Sequence, residues 1–177
     1  MRTLIVYESM FGNTRHIAEA IAGALKPRSE IEIVPVGQAT PQLVAWADLV
    51  VVGAPTHAHG MSSSNTRSNA ADRIVQPGNT LQLEPEAEAI GVREWLAKLP
   101  KGTGKAAIAF DTRIKAPSII TGRASTSIAK ALHAHGFKLA IEPESFLVTT
   151  HNGLVEGELD RAREWAEGLV GGLDPVS

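Results

Sequence analysis

The stretch from Leu4 to Ala18 limits the fold more than any other part of the chain. Thr3 to Tyr7 is β-branched and apolar, as in a strand covered on both faces. A tight polar loop follows. Ile17, Ile21 and Leu25, with Ala18 and Ala22 beside them, then repeat at helical spacing. Asn13 and Thr14 are the expected N-caps of that helix. The loop thus ends at a helix N-terminus, where free N–H groups and the dipole favour an anion, phosphate above all. Ser9, Asn13 and Thr14 add side-chain donors, and Gly12 lets the backbone close in.

The rest of the chain repeats this alternation. Glu30 to Val36 alternates and contains Pro35, which suits an edge strand. A short helix is expected over Pro41 to Trp46. Asp48 to Ala54 is a second wholly apolar strand, expected to stop at Pro55. Residues 61–90 are irregular, with loop signals at Ser62 to Asn65 and at Pro77-Gly78-Asn79. A short helix over Ala70 to Val75 and a solvated face over Glu84 to Glu88 are the expectations there. Such a long excursion within a compact domain is commonly functional. Val92, Trp95, Leu96 and Leu99 resume helical spacing. Lys105 to Phe110 is a buried strand whose end meets a polar loop, Asp111 to Ile114. Gly122 to Ala134 is read as a helix. Phe137 to Ile141 and Ser145 to Val148 form one last strand bent at Glu142-Pro143-Glu144, and Asn152-Gly153 is a turn. A final amphipathic helix carries Leu159, Ala162, Trp165 and Leu169 and frays at Gly171-Gly172.

This alternation predicts one domain over residues 1–177, a doubly wound five-stranded parallel sheet in the order 2-1-3-4-5. Strands one and three then flank the switch point, where ligands bind beyond the carboxyl ends. The loops Ser9–Thr14, Pro55–Gly60 and Asp111–Ile114 should converge there.

The first loop resembles that of the flavodoxin-like family, whose Thr/Ser-x-Thr/Ser-Gly-Asn-Thr run holds the phosphate of flavin mononucleotide (FMN). Here it reads Ser9-Met10-Phe11-Gly12-Asn13-Thr14. Phe11 replaces a hydroxyl and is closer to the Ser-Met-Tyr-Gly of flavodoxin-like quinone reductases. The second loop, Pro55-Thr56-His57-Ala58-His59-Gly60, resembles the family's Pro-Thr-His-Ala-aromatic-Gly run, with His59 at the residue that stacks on the flavin. The resemblance also implies that Asp111, Thr112 and Arg113 lie along the flavin ring. It implies FMN as cofactor, no catalytic side chain, and an electron carrier serving a redox partner protein or a small-molecule acceptor. An NAD(P)H-dependent quinone-type reductase and a non-enzymatic module are the alternatives.

Other classes find less support. The loop lacks the Lys of a P-loop and the Gly-x-Gly-x-x-Gly fingerprint, and no Gly-x-Ser-x-Gly occurs. His57 and His59 have the spacing of a metal pair, but no third ligand is evident, so no metal is expected. There are no cysteines, so redox chemistry must come from a cofactor. A net charge of −2 gives no reason to expect nucleic acid or an anionic membrane. With no membrane-length apolar run and no signal-peptide core, a cytoplasmic monomer or homodimer is expected. The site loops carry His57, His59 and Arg113, with Arg15 and Arg67 near in sequence, against Glu8 and Asp111. That balance predicts a positive environment favouring the reduced, anionic flavin.

Overall fold

The computed structural model describes residues 1–57, 60–72, 81–87, 89–102 and 104–173. Ala58, His59 and the segment 73–80, with its expected Pro77-Gly78-Asn79 loop, lie outside the described residues, as does Glu88. The strands are β1 (Arg2–Tyr7), β2 (Glu30–Pro35), β3 (Leu49–His57), β4 (Gly60–Met61), β5 (Ala106–Ile114), β6 (Lys138–Leu139) and β7 (Glu144–Val148). The helices are α1 (Asn13–Leu25), α2 (Pro41–Trp46), α3 (Ser64–Asp72), α4 (Val92–Ala97), α5 (Ser118–Thr121), α6 (Ala124–Ala134) and α7 (Glu158–Leu173).

One sheet runs β2-β1-β3-β5-β6, with β7 also paired to β5. These pairings are parallel, and among the described strands the two-residue β4 runs antiparallel, against β3. β6 and β7 pair with opposite ends of β5, at Ala106–Ala107 and at Phe110–Ile114. They are the two halves of the expected bent strand, so the order 2-1-3-4-5 holds with that strand divided. β2 is the edge, and its exposed and half-buried residues match its alternating sequence.

Side chains alternate across the sheet, so each strand feeds two cores. Leu4, Val6, Val50 and Val52 pack with Val44 of α2, Trp95 and Leu96 of α4, and Ile128 and Leu132 of α6. Ile5, Val51, Ile108 and Phe110 pack on the other face with Ile17, Ile21 and Leu25 of α1 and Ala162, Ala166 and Leu169 of α7. Burying one such aliphatic side chain contributes about 2 kcal/mol. Gly53 lies at the centre of β3, where a Cβ would fall 2.0 Å from Cζ of Phe110. Its absence seats that ring, which in turn meets Phe146 edge-on at 6.1 Å. Lys105 closes α2 from below, donating through Nζ to the carbonyls of Val44, Ala45 and Ala47.

Several boundaries differ from the sequence reading. β3 continues through Pro55 to His57. The carbonyl of Gly53 faces β1, accepting the amide of Glu8. Pro55, two residues on, faces the same side, where β1 has ended, so its missing N–H costs no ladder bond. β5 likewise runs on through the expected loop Asp111–Ile114, because Ser145 to Val148 continue the ladder beside it. α3 begins at Ser64, inside the expected Ser62–Asn65 loop, and is described to Asp72. α6 starts at Ala124 instead of Gly122, whose φ of 72° follows the short α5. α7 continues through Gly171-Gly172 to Leu173.

Candidate functional site

The ends of β1, β3 and β5 lie side by side. Tyr7 is in register with Gly53, Gly53 with Phe110, and Pro55 with Thr112. The three stretches that carry the expected site residues therefore meet at the switch point. Ser9 is buried, and its hydroxyl accepts the Gly12 amide at 3.1 Å. Met10 is buried and Phe11 half-buried. Gly12, at φ 91°, is itself the N-cap of α1, with no side-chain cap. That left-handed backbone is why glycine stands there.

Asn13 and Thr14 are not the caps expected of them. They form the first helical residues, and their side chains tie the loop to distant strands. Asn13 Nδ2 donates to the carbonyl and Oδ1 of Asn152, at 3.0 and 3.2 Å. Asn152 holds a φ of 62° in the expected Asn-Gly turn. The Thr14 and Thr112 hydroxyls are 2.8 Å apart and hydrogen-bonded, joining the first and third stretches. The first-turn amides of Asn13, Thr14 and Arg15 have no intrahelical acceptor, and none is seen for them among the described residues.

The 81–91 segment closes over this loop. The Glu84 amide donates to the Met10 carbonyl at 2.9 Å. Its carboxylate accepts Arg15 Nε at 3.1 Å, while Arg15 Nη1 reaches Glu19 at 2.7 Å. Bonds to Glu19 and then Glu84 raise the Arg15 pKa further. A Cβ on Gly12 would meet Glu84 Oε1 at 3.2 Å. Glu86 accepts from Gln38 at 2.8 Å, and Ala87 is buried. Of the expected solvated face, Glu84, Glu86 and Ala87 are thus engaged with the rest of the domain, and Glu88 lies outside the described residues.

A buried polar cluster anchors the same segment. Glu8, 4% exposed, accepts the Ser62 hydroxyl and, at 2.8 Å, the Val92 amide. Burial raises its pKa, against those two hydrogen bonds and the nearby Arg67. Arg67 Nη1 donates to Ser62 at 2.9 Å, and Nη2 pairs with Glu94 at 3.2 Å. Burial works to raise the Glu94 pKa, but bonds from Arg67 and backbone amides outweigh it, and the net shift is downward. Sequence reasoning missed Ser62, Glu84, Glu94 and Asn152 as parts of the site. It also counted Arg15 and Arg67 as spare positive charge, whereas both are paired with carboxylates. Of the positive groups expected there, Arg15 and Arg67 are thus neutralised.

The second and third stretches meet at α6. Thr56 Oγ1 accepts the Ala124 amide at 3.0 Å, and Asp111 Oδ2 accepts that of Ser125 at 2.7 Å. Two strands thus supply the caps that α6 lacks in its own sequence. Burial raises the Asp111 pKa, opposed by the Ser125 amide. His57 pairs with Gly60 across the β3–β4 hairpin. Arg113 turns away from the loop, donating to the Ala116 carbonyl at 2.6 Å and to Thr121 Oγ1 at 3.2 Å.

A phosphate fits the first loop through backbone: a left-handed glycine followed by three first-turn amides without a described acceptor. The Asn13 and Thr14 side chains are already engaged, so they frame the cradle.

Comparison with known proteins points the same way. A flavodoxin domain family model matches residues 4–67. A flavodoxin of Aquifex aeolicus is 34% identical over 58 residues, 32% of this chain and 31% of that protein. The matched segment is thus about a third of that relative's length. Among solved structures, oxidised flavodoxin 1 from Bacillus cereus superposes with a TM-score of 0.68 at 18% identity, covering 98% of this chain and 100% of that one. A flavodoxin, WrbA-like protein from Agrobacterium tumefaciens gives 0.58 at 17% identity, covering 96% and 95%. The chain therefore has the flavodoxin fold along its length, and its residues 4–67 match the flavodoxin domain.

Proposed function

We propose that this protein binds FMN at the β1–α1 loop and carries electrons between a donor and either a redox partner protein or a small-molecule acceptor. The observation that carries this reading is the Gly12 cap followed by the open amides of Asn13, Thr14 and Arg15, within the segment that matches the flavodoxin domain. Those amides would hold the phosphate. Ser9 fixes the loop by accepting the Gly12 amide, and Asn152 and Thr112 fix the start of α1. Pro55, Thr56 and His57 on one strand and Asp111 and Thr112 on the next would flank the ring. When bound, FMN supplies one- and two-electron transfer. The chain's part is to bind, orient and tune it, and no side chain is assigned an acid–base role.

Titration of the purified protein with FMN, followed by flavin fluorescence and thermal unfolding, tests this. Saturable one-to-one binding is expected. At one hundred times the dissociation constant the stabilisation is about 2.7 kcal/mol. Riboflavin, which lacks the phosphate, should bind more weakly. No saturation and no thermal shift with FMN would overturn the proposal; equal affinity for riboflavin would overturn the loop's assignment.

A further inference from the structure

On the far side of β5 from the phosphate loop lies a cavity of about 300 Å³, lined in part by Arg113, Arg123 and Arg161. Two carboxylates, Glu144 and Glu158, also line it. Both belong to Arg161, at 3.3 Å from Glu144 and 2.6 Å from Glu158. The other two guanidiniums are held by uncharged groups. Arg123 donates to Ser145 Oγ at 3.0 Å and to the Pro143 carbonyl at 2.8 Å. Arg113 donates to the Ala116 carbonyl and the Thr121 hydroxyl, and its buried Nε has no hydrogen-bond partner. Asp111 and Arg123 attract one another, but Asp111 is buried and does not line the cavity.

Three cations against two lining carboxylates leave room for one negative charge, which favours a monoanion over a phosphate dianion. Guanidinium forks match a planar carboxylate. Ser118 lines the cavity at the start of α5, and the next two residues, Ile119 and Ile120, are 91% and 62% exposed. Ile114, at the end of β5, is also exposed. Within the hollow itself Leu147 supplies an apolar wall, which suits a ligand with an apolar body. We propose that this cavity binds the carboxylate of a small organic acid between Arg113 and Arg123, with the acid's apolar body against Leu147. The inference does not depend on flavin binding.

Benzoate is the probe, and two-dimensional amide NMR of the full chain is the readout, because it separates this cavity from the phosphate loop residue by residue. Saturable shifts are expected at Ser118, Arg123 and Ser145. Arg113→Gln and Arg123→Gln should each weaken benzoate about tenfold, the loss of a charge-assisted contact. Arg2→Gln, at the opposite end of β1, should leave it unchanged. Leu147→Ala should weaken benzoate but not formate. Any variant whose spectrum shows loss of fold is replaced by its lysine counterpart, which keeps the charge but loses the fork and should still weaken binding. Absence of saturable shifts at those amides would overturn the proposal, as would unchanged affinity in both arginine variants. Inorganic phosphate binding there as tightly as benzoate would overturn the assignment to a carboxylate.

Discussion

Glu84 is the residue most at odds with an anion at the first loop. Its carboxylate lies beside Gly12 and is held by Arg15. A phosphate bound to the open amides would share that neighbourhood, and two anions a few ångströms apart at a partly solvated surface repel by about 1 kcal/mol or more. Glu84→Gln is therefore expected to tighten FMN binding roughly fivefold, as measured by calorimetric titration. Weaker binding by the variant would show that the carboxylate's main effect is to position Arg15. The strand, loop and helix around Ser9, Gly12, Asn13 and Thr14 were legible in the sequence because they are written in neighbouring residues. Their partners were not. Thr112 is 98 positions from Thr14 and Asn152 is 139 from Asn13, and no local pattern encodes such a pairing. The Asn-Gly dipeptide marked Asn152 as a turn residue but not where that turn would lie.

At the scale of the elements, α3 and the 81–91 segment decide how the excursion after β3 is held. They are fastened to the end of β1 through Glu8, Ser62, Arg67 and Glu94, beside apolar contacts of Ala87 and Ile90. Arg67 is nearly fully buried, and its removal leaves Glu8 without its nearest cation. Arg67→Met is expected to cost roughly 3 kcal/mol in denaturant unfolding. A loss below about 1 kcal/mol would mean that the cluster adds little to stability. Periodicity found the apolar strands and the amphipathic helices but misread this region, because α3 reads Ser-Asn-Thr-Arg-Ser-Asn at its start and has no apolar stripe. The polar end of β5 was hidden for a related reason. Asp111 to Ile114 look like a loop until the ladder from β7 is in place.

Across the whole molecule, an apolar sheet covered on both faces has two carboxyls buried at its carboxyl end. Burial raises the pKa of both Glu8 and Asp111. The unfolded chain then loses these protons first as pH rises, so stability falls from about pH 4 upward through the raised values. Asp48 works the other way. Hydrogen bonds from Arg2 hold it at about 2, so its contribution is lost as pH falls from 3.8 toward that value. The urea midpoint is expected to decline as pH rises above about 4, and Glu8→Gln should flatten the decline. A midpoint that rises over that range in the parent protein would refute the assignment.

The single hydrogen on Gly53 has a further consequence. Phe110 fills the space that any side chain at 53 would need, and Phe146 and then Trp165 of α7 follow behind it edge to face. Positions 53 and 110 therefore form a covarying pair in any descendant of this sequence. A methyl at 53 is tolerated only with a smaller residue at 110, and that exchange empties the seat on which the aromatic column from the sheet to the outer helix is built.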